Sequence, residues 1–206
     1  MFKNKFFLLS VTVVLIAIIL YSLTGNETPQ SSTTGNDDQY LTPIQDLRKQ
    51  KDDFLKTDKE SPIKEKATFK GLKYFEINPN FKVVGKLDKF ASDQTINISM
   101  TDGSVEEYEA YGNVSFEIEG KKYALKIFKT PEGNLFLPFK DLTSNKETYG
   151  AGRYLDFGVN DVKNNQIEID FNKAYQPYCA YNETFTCPIT PAENFLNLAL
   201  KVGERQ

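Results

Sequence analysis

From residue 81 onward apolar residues recur at every second position, the period that turns one face of a strand to a core and the other to water. Residues 95–100 (Thr-Ile-Asn-Ile-Ser-Met) alternate strictly, Asp102-Gly103 supplies a two-residue hairpin turn, and 105–110 and 114–118 alternate again. Gly120-Lys121 leads into 123–128, and Pro131-Glu132-Gly133-Asn134 is a turn before 135–139. Adding 81–87, 167–171 and 196–202 gives eight or nine short strands joined mostly by tight turns. Consecutive hairpins pair antiparallel. The expected fold is therefore mainly β, an antiparallel sandwich or partly open barrel that hides its edges.

Ahead of the strands the period changes. Thr42-Pro43-Ile44-Gln45 has the form of a capped helix start, with proline in the first turn. Ile44, Leu47, Phe54 and Leu55 then predict one apolar side of a helix ending near Thr57, docked on its own domain rather than on a partner. Ser61-Pro62 predicts a second, short helix ending at Gly71.

The N-terminus follows a third pattern. Residues 6–23 (FFLLSVTVVLIAIILYSL) form an uncharged run preceded by Lys3 and Lys5. At about 1.5 Å per residue it reaches roughly 27 Å, close to a hydrocarbon core of ~30 Å. The spacing predicts a single transmembrane anchor over 1–23, with the N-terminus in the cytoplasm and the remainder extracytoplasmic, at an inner or plasma membrane. A cleaved signal peptide is the alternative, though Ser22-Leu23-Thr24 makes a poor cleavage site. Residues 24–42 are polar and predict a flexible linker, leaving 43–206 as one β-rich domain.

Charge and composition narrow the chemistry. The net charge of −3 includes no basic block, so nucleic acid is not an expected partner. With no histidine, imidazole bases and Ser-His-Asp or Cys-His arrangements are excluded. There is no tryptophan, so stacking would fall to 11 tyrosines and 16 phenylalanines. No cofactor and no metal site is expected.

One block breaks the alternation. Residues 135–141 (LFLPFKD), Thr143-Ser144 and 147–155 (ETYGAGRYL) are followed by 169–175 (IDFNKAY), Cys179-Ala180-Tyr181, Cys187-Pro188 and Pro191-Ala192-Glu193-Asn194. Gly203-Glu204 closes the series, and 69–75 (FKGLKYF) precedes it. Together these resemble the signature of the domain-of-unknown-function 1684 family over about residues 43–204. Ala151 stands where a third glycine is expected and Gln176 where asparagine is usual. The resemblance implies a β-rich single domain and brings no established activity.

Within the block, Tyr149, Gly150, Gly152 and Arg153 suggest backbone N–H groups and a guanidinium turned toward an anion. The alternative is a glycine bend whose Arg153 pairs with Asp141, Asp156 or Asp170. Tyr175 and Tyr181 offer stacking faces, while Asn172, Asn194 and Glu193 offer hydrogen bonds. A pocket built by the 141–153 and 172–194 loops, with Asp141, would then take a small anionic, glycan or peptide ligand. Carboxylates among Asp141, Glu147, Asp156, Asp170 and Glu193 suggest instead a metal-independent hydrolase or isomerase, or a calcium site. An envelope structural protein without a ligand is a further alternative. Cys179 and Cys187, the two cysteines, are expected as a disulfide outside the cytoplasm, with buried free thiols as the alternative.

Overall fold

The alternating stretches become strands, and several merge. Helix α1 spans Thr34–Thr57, and the strands are β1 (Lys73–Tyr74), β2 (Lys82–Ser99), β3 (Val105–Ile118), β4 (Lys121–Lys129), β5 (Leu135–Asp141), β6 (Arg153–Phe157), β7 (Gln166–Asp170), β8 (Phe195–Leu196) and β9 (Glu204–Arg205). This computed structural model describes residues 34–206, of which Gln39–Gln206 form one compact unit. The predicted anchor over 1–23 lies outside the described residues. No helix among the described residues is long and apolar enough to cross a membrane.

The main sheet runs β6-β5-β4-β3-β2-β7, antiparallel throughout, with β8 added parallel to β5. It is an antiparallel half-barrel. The predicted strands at 81–87 and 95–100 are one long strand whose register shifts between Lys89 and Gln94, and β3 carries a matching shift between Ala110 and Gly112. One extra residue at such a bulge flips every later side chain to the opposite face. Accordingly Tyr108 and Ala110 join a small cluster with Ile98, Phe128, Phe136 and Tyr154, whereas Val114, Phe116 and Ile118 enter the main core. Strand β5 serves both, with Leu135, Leu137 and Phe139 inside and Phe136 outside.

Three sequence expectations are corrected. The helix begins at Thr34, so Pro43 lies inside it and the predicted linker is helical from residue 34. Residues 61–71 form turns rather than a second helix; Ser61 Oγ donates to the Leu55 carbonyl at the end of α1 and accepts the Ile63 N–H. The predicted strand over 196–202 is a strand only at Phe195–Leu196, because carbonyls further along turn inward to a side chain instead of a neighbouring strand.

Helix α1 faces the domain with a different stripe from the predicted one. Leu47 and Phe54 are exposed, while Ile44 and Leu55 are buried. The docked positions are Tyr40, Ile44, Arg48, Lys51 and Leu55, spaced by three and four as one helical face requires. Tyr40 Oη donates to Asp170 Oδ1 at 3.0 Å, and Asp52 Oδ1 accepts the Leu72 N–H at 3.0 Å. Leu55→Ala, at a side chain with 0 % exposure, should cost about 2–5 kcal/mol by leaving a cavity between α1 and the domain. Urea unfolding would read this as a lower midpoint at unchanged slope, and an unchanged midpoint would show that the helix is not docked there.

Candidate functional site

The unusual block is held together from within. Arg153, at the start of β6, is 1 % exposed. Its Nη2 donates to Asp141 Oδ2 at 2.8 Å and to the Leu200 carbonyl at 2.8 Å. Its Nη1 donates to the carbonyls of Val202 and Glu204. Burial pushes the guanidinium pKa down and Asp141 opposes that shift. The pairing of Arg153 with Asp141 thus holds, and both Nη atoms are taken up by Asp141 and the carbonyls of Leu200, Val202 and Glu204 rather than turned toward an open anion site, with Nε alone left without a partner.

Its neighbours are equally committed. Asp141 Oδ1 accepts the Thr143 N–H at 2.7 Å, and the Thr143 carbonyl accepts the N–H groups of Lys146, Glu147 and Thr148. Gly152 has φ +111°, and a Cβ there would lie 2.2 Å from Thr190 Oγ1 and 2.7 Å from the Phe139 carbonyl. Its place in the sequence follows from close packing, not from a ligand. Gly150 is closed in the same way by Asn145 Oδ1. The Tyr149 N–H donates to Gln176 Oε1 at 2.9 Å.

The asparagines act as pieces of backbone. Asn194 Oδ1 accepts the Lys126 N–H at 2.8 Å, while its Nδ2 donates to the Lys126 carbonyl at 2.8 Å and to the Pro138 carbonyl at 2.7 Å. It fills the gap where β4 leaves β5, at a proline that has no N–H to offer. Asn172 Nδ2 donates to the Asn78 carbonyl, Tyr40 Oη and Asp170 Oδ1, and its Oδ1 accepts the Asn78 N–H. Glu204 is buried between Lys51 Nζ, the Gln176 N–H at 2.8 Å and Tyr181 Oη at 2.5 Å.

The expected two-loop pocket is therefore divided. Asp141, Tyr149, Gly150, Gly152 and Arg153 line neither the cleft between β6 and β7, nor the cavity under α1, nor the two depressions bordered by Tyr181 and by Glu193. Glu193 and Asn194 border one depression beside β3 and β4, and Tyr181 borders another against residues 63–69. Asn172 and Tyr175 meet at a small cavity under α1. Glu193 is an exposed surface group paired with Lys126 at 3.0 Å.

The larger opening lies where the half-barrel fails to close. Strands β6 and β7 are the two edges of the sheet, and between them is a cleft of about 670 Å³. Leu155, Asp156 and Phe157 form one wall, Gln166, Ile167, Glu168 and Asp170 the other, with Leu47, Val84 and Tyr175 at its borders. The Tyr175 ring packs edge-on against Tyr154, and its hydroxyl donates to Asp156 Oδ2. Lys51 Nζ sits 4.5 Å from the Tyr175 ring centre. Desolvation at the wall raises the Asp156 pKa, against the hydrogen bond from Tyr175 and the charge of Lys51, although the residue keeps solvent access at the cleft mouth.

Residues 67–205 match the family described as "Protein of unknown function (DUF1684)". The chain belongs to this family. The DUF1684 fold also resembles the solution NMR structure of an uncharacterized protein of Haloarcula marismortui, with 31 % identity and a TM-score of 0.64 over 83 % of this chain and 96 % of that one. No curated protein matches the chain. Arg48 and Lys51 lie before the matched family segment, and sequence reasoning passed over both. The available signal was their spacing between Ile44 and Leu55, which puts two cations on the docked face of α1.

The expected disulfide is also corrected. Cys179 and Cys187 are buried free thiols in the DUF1684 domain, with the Cys179 N–H donating to Cys187 Sγ at 3.2 Å. Backbone bonds already order this loop against the β2–β3 turn, including Thr101 N–H to the Cys187 carbonyl at 2.9 Å and Ile189 N–H to the Ser99 carbonyl at 2.8 Å. The Cys187 thiol as donor lowers the Cys179 pKa to about 7, burial opposing, while the Cys187 pKa is raised.

Two measurements test these assignments. Arg153→Ala should destabilise the domain by about 3–5 kcal/mol, because the Asp141 carboxylate is left buried and unpaired. Replacing both partners by apolar residues should cost less than the two single losses combined; additive losses in denaturant titration would disprove the coupling. Iodoacetamide labelling read by mass spectrometry should rise at Cys179 with a midpoint near pH 7, since a lowered thiol pKa exposes thiolate earlier. A midpoint at the ordinary ~8.5 would reject that environment.

Proposed function

We propose that this DUF1684 protein is a membrane-tethered, extracytoplasmic binding module whose site is the seam between β6 and β7. The carrying observation is the seam itself. Its cleft of about 670 Å³ falls within the usual ~300–1,000 Å³ of ligand sites and sets apolar side chains such as Leu155, Phe157 and Ile167 among a majority of polar and charged ones. Tyr175 and Asp156 are oriented on each other, while Asp161, Lys163, Glu168 and Lys173 surround them. Such walls suit a small organic molecule, glycan or short peptide. The tether rests on the uncharged run at 6–23 and the lysines before it.

A second reading has one observation in its favour. Asp156 is a carboxyl group with a raised pKa at a cleft, hydrogen-bonded to a tyrosine, which is how a general acid is commonly held. On this reading the same cleft belongs to a hydrolase or isomerase.

The test is a thermal-shift screen of the full-length chain in detergent against glycans, short peptides and small organic anions, with turnover followed in parallel. Val84 lines the cleft with 61 % exposure, so Val84→Trp should fill the seam without disturbing the core. A compound should raise the wild-type midpoint and fail to raise that of Val84→Trp. Equal shifts in both proteins, or none in the wild type across the three classes, would sink the cleft as the site.

A further inference from the structure

Under α1 a second cavity, of about 120 Å³, shares Leu47, Lys173 and Tyr175 with the seam cleft. Its other lining residues include Arg48, Lys51 and Tyr74. Arg48 is fixed on two sides. Its Nη1 donates to the Phe75 carbonyl at 3.0 Å, and its guanidinium carbon lies 4.5 Å from the centre of the Tyr74 ring. The two remaining nitrogens, Nε and Nη2, are buried and have no hydrogen-bond partner. These are adjacent donors on one edge of the guanidinium, the fork that takes both oxygens of a carboxylate.

The surrounding acids do not fill that fork. Both oxygens of Glu204 are engaged, by Lys51 on one side and by Gln176 and Tyr181 on the other. Asp170 Oδ1 accepts from Tyr40 and Asn172, while its Oδ2 is bare; neither Asp170 nor Glu204 forms an ion pair with Arg48. Burial pushes the Arg48 pKa down, so the unfilled fork carries a desolvation cost that an anion would offset. The nearby charges of Asp170 and Glu204 disfavour a dianion such as phosphate. The volume corresponds to about four water molecules at ~30 Å³ each, and Leu47, Ala174 and the Tyr74 and Tyr175 rings give it largely apolar walls.

We infer that Arg48 binds the carboxylate of a small organic acid in this inner cavity, with the body of the ligand extending along Tyr175 into the seam. The assignment deepens the cleft reading and rests on it. It places the anion site expected at Arg153 on a different arginine, one with two unpartnered nitrogens, Nε and Nη2.

Isothermal titration of the full-length protein in detergent with butanoate, its neutral isostere butanamide, and methylphosphonate tests this. Butanoate should bind and butanamide should not, with methylphosphonate weaker than butanoate. Arg48→Lys keeps the charge and removes the fork, and should weaken butanoate at least tenfold while the thermal midpoint without ligand stays close to wild type. The Arg48 Nε–Hε resonance of the wild-type protein should move on adding butanoate, a readout that needs no variant. Equal binding of butanoate and butanamide, unchanged affinity in Arg48→Lys, or an unmoved resonance at saturation would each overturn the assignment. A screened compound that Val84→Trp blocks but Arg48→Lys leaves alone would overturn it while keeping the cleft. If butanoate does not bind the wild type the Arg48 assignment falls alone, and the cleft reading falls with it only if no screened compound binds either.

Discussion

The structure depends on one buried guanidinium. Arg153 ties Asp141 at the end of β5 to the carbonyls of Leu200, Val202 and Glu204. No hydrophobic contact can substitute for this, since three carbonyls lacking strand partners need donors once water is removed. The C-terminal stretch then follows the arginine instead of a sheet edge. That leads Glu204 to Lys51, and through β9 the chain end pairs with β1, Lys73 opposite Arg205. Helix, sheet and C-terminus meet through a few polar side chains.

The same substitution of side chain for ladder recurs inside the sheet. Strands β4 and β5 pair only at Phe128–Phe136 and Lys129–Leu135, and Asn194 completes the join further along. On its outer edge β6 is met at Tyr154 by Tyr175, which closes one position and leaves the rest facing β7 across the cleft.

Much of the architecture was legible from residue type alone. Period-two alternation located β2 to β5 and β7 but not the edge strand β6, and Asp102-Gly103 marked the long hairpin, whose loop is nonetheless three residues (101–103). The Gly103 N–H donates to the Met100 carbonyl, the Met100 N–H to the Ser104 carbonyl, and Gly103 takes the left-handed position at φ +86°. What alternation could not show was the bulges, because an extra residue changes which face is buried without changing the local pattern. The strand expected over 196–202 failed for a related reason: Leu196, Leu200 and Val202 are buried as expected, yet their backbone serves Arg153. Burial and strand pairing are separate facts, and sequence reports chiefly the first.

The block from 141 to 194 shows the corresponding limit for function. Asp141, Arg153, Asn172 and Asn194 are the residue types that bind ligands, and they are also the types that satisfy a buried backbone. Sequence cannot tell a donor aimed outward from one aimed at a carbonyl. An accounting of partners can. Every Arg153 nitrogen but Nε has a protein acceptor, whereas Arg48 has one acceptor for three nitrogens and sits on a helix face between Ile44 and Leu55 where an apolar residue would pack without that cost. A cation with two unpaired nitrogens, held rigid by a carbonyl and a ring, is harder to explain by stability than one with a single unpaired nitrogen. On that ground the proposed site is the seam and the helix beside it, not the block.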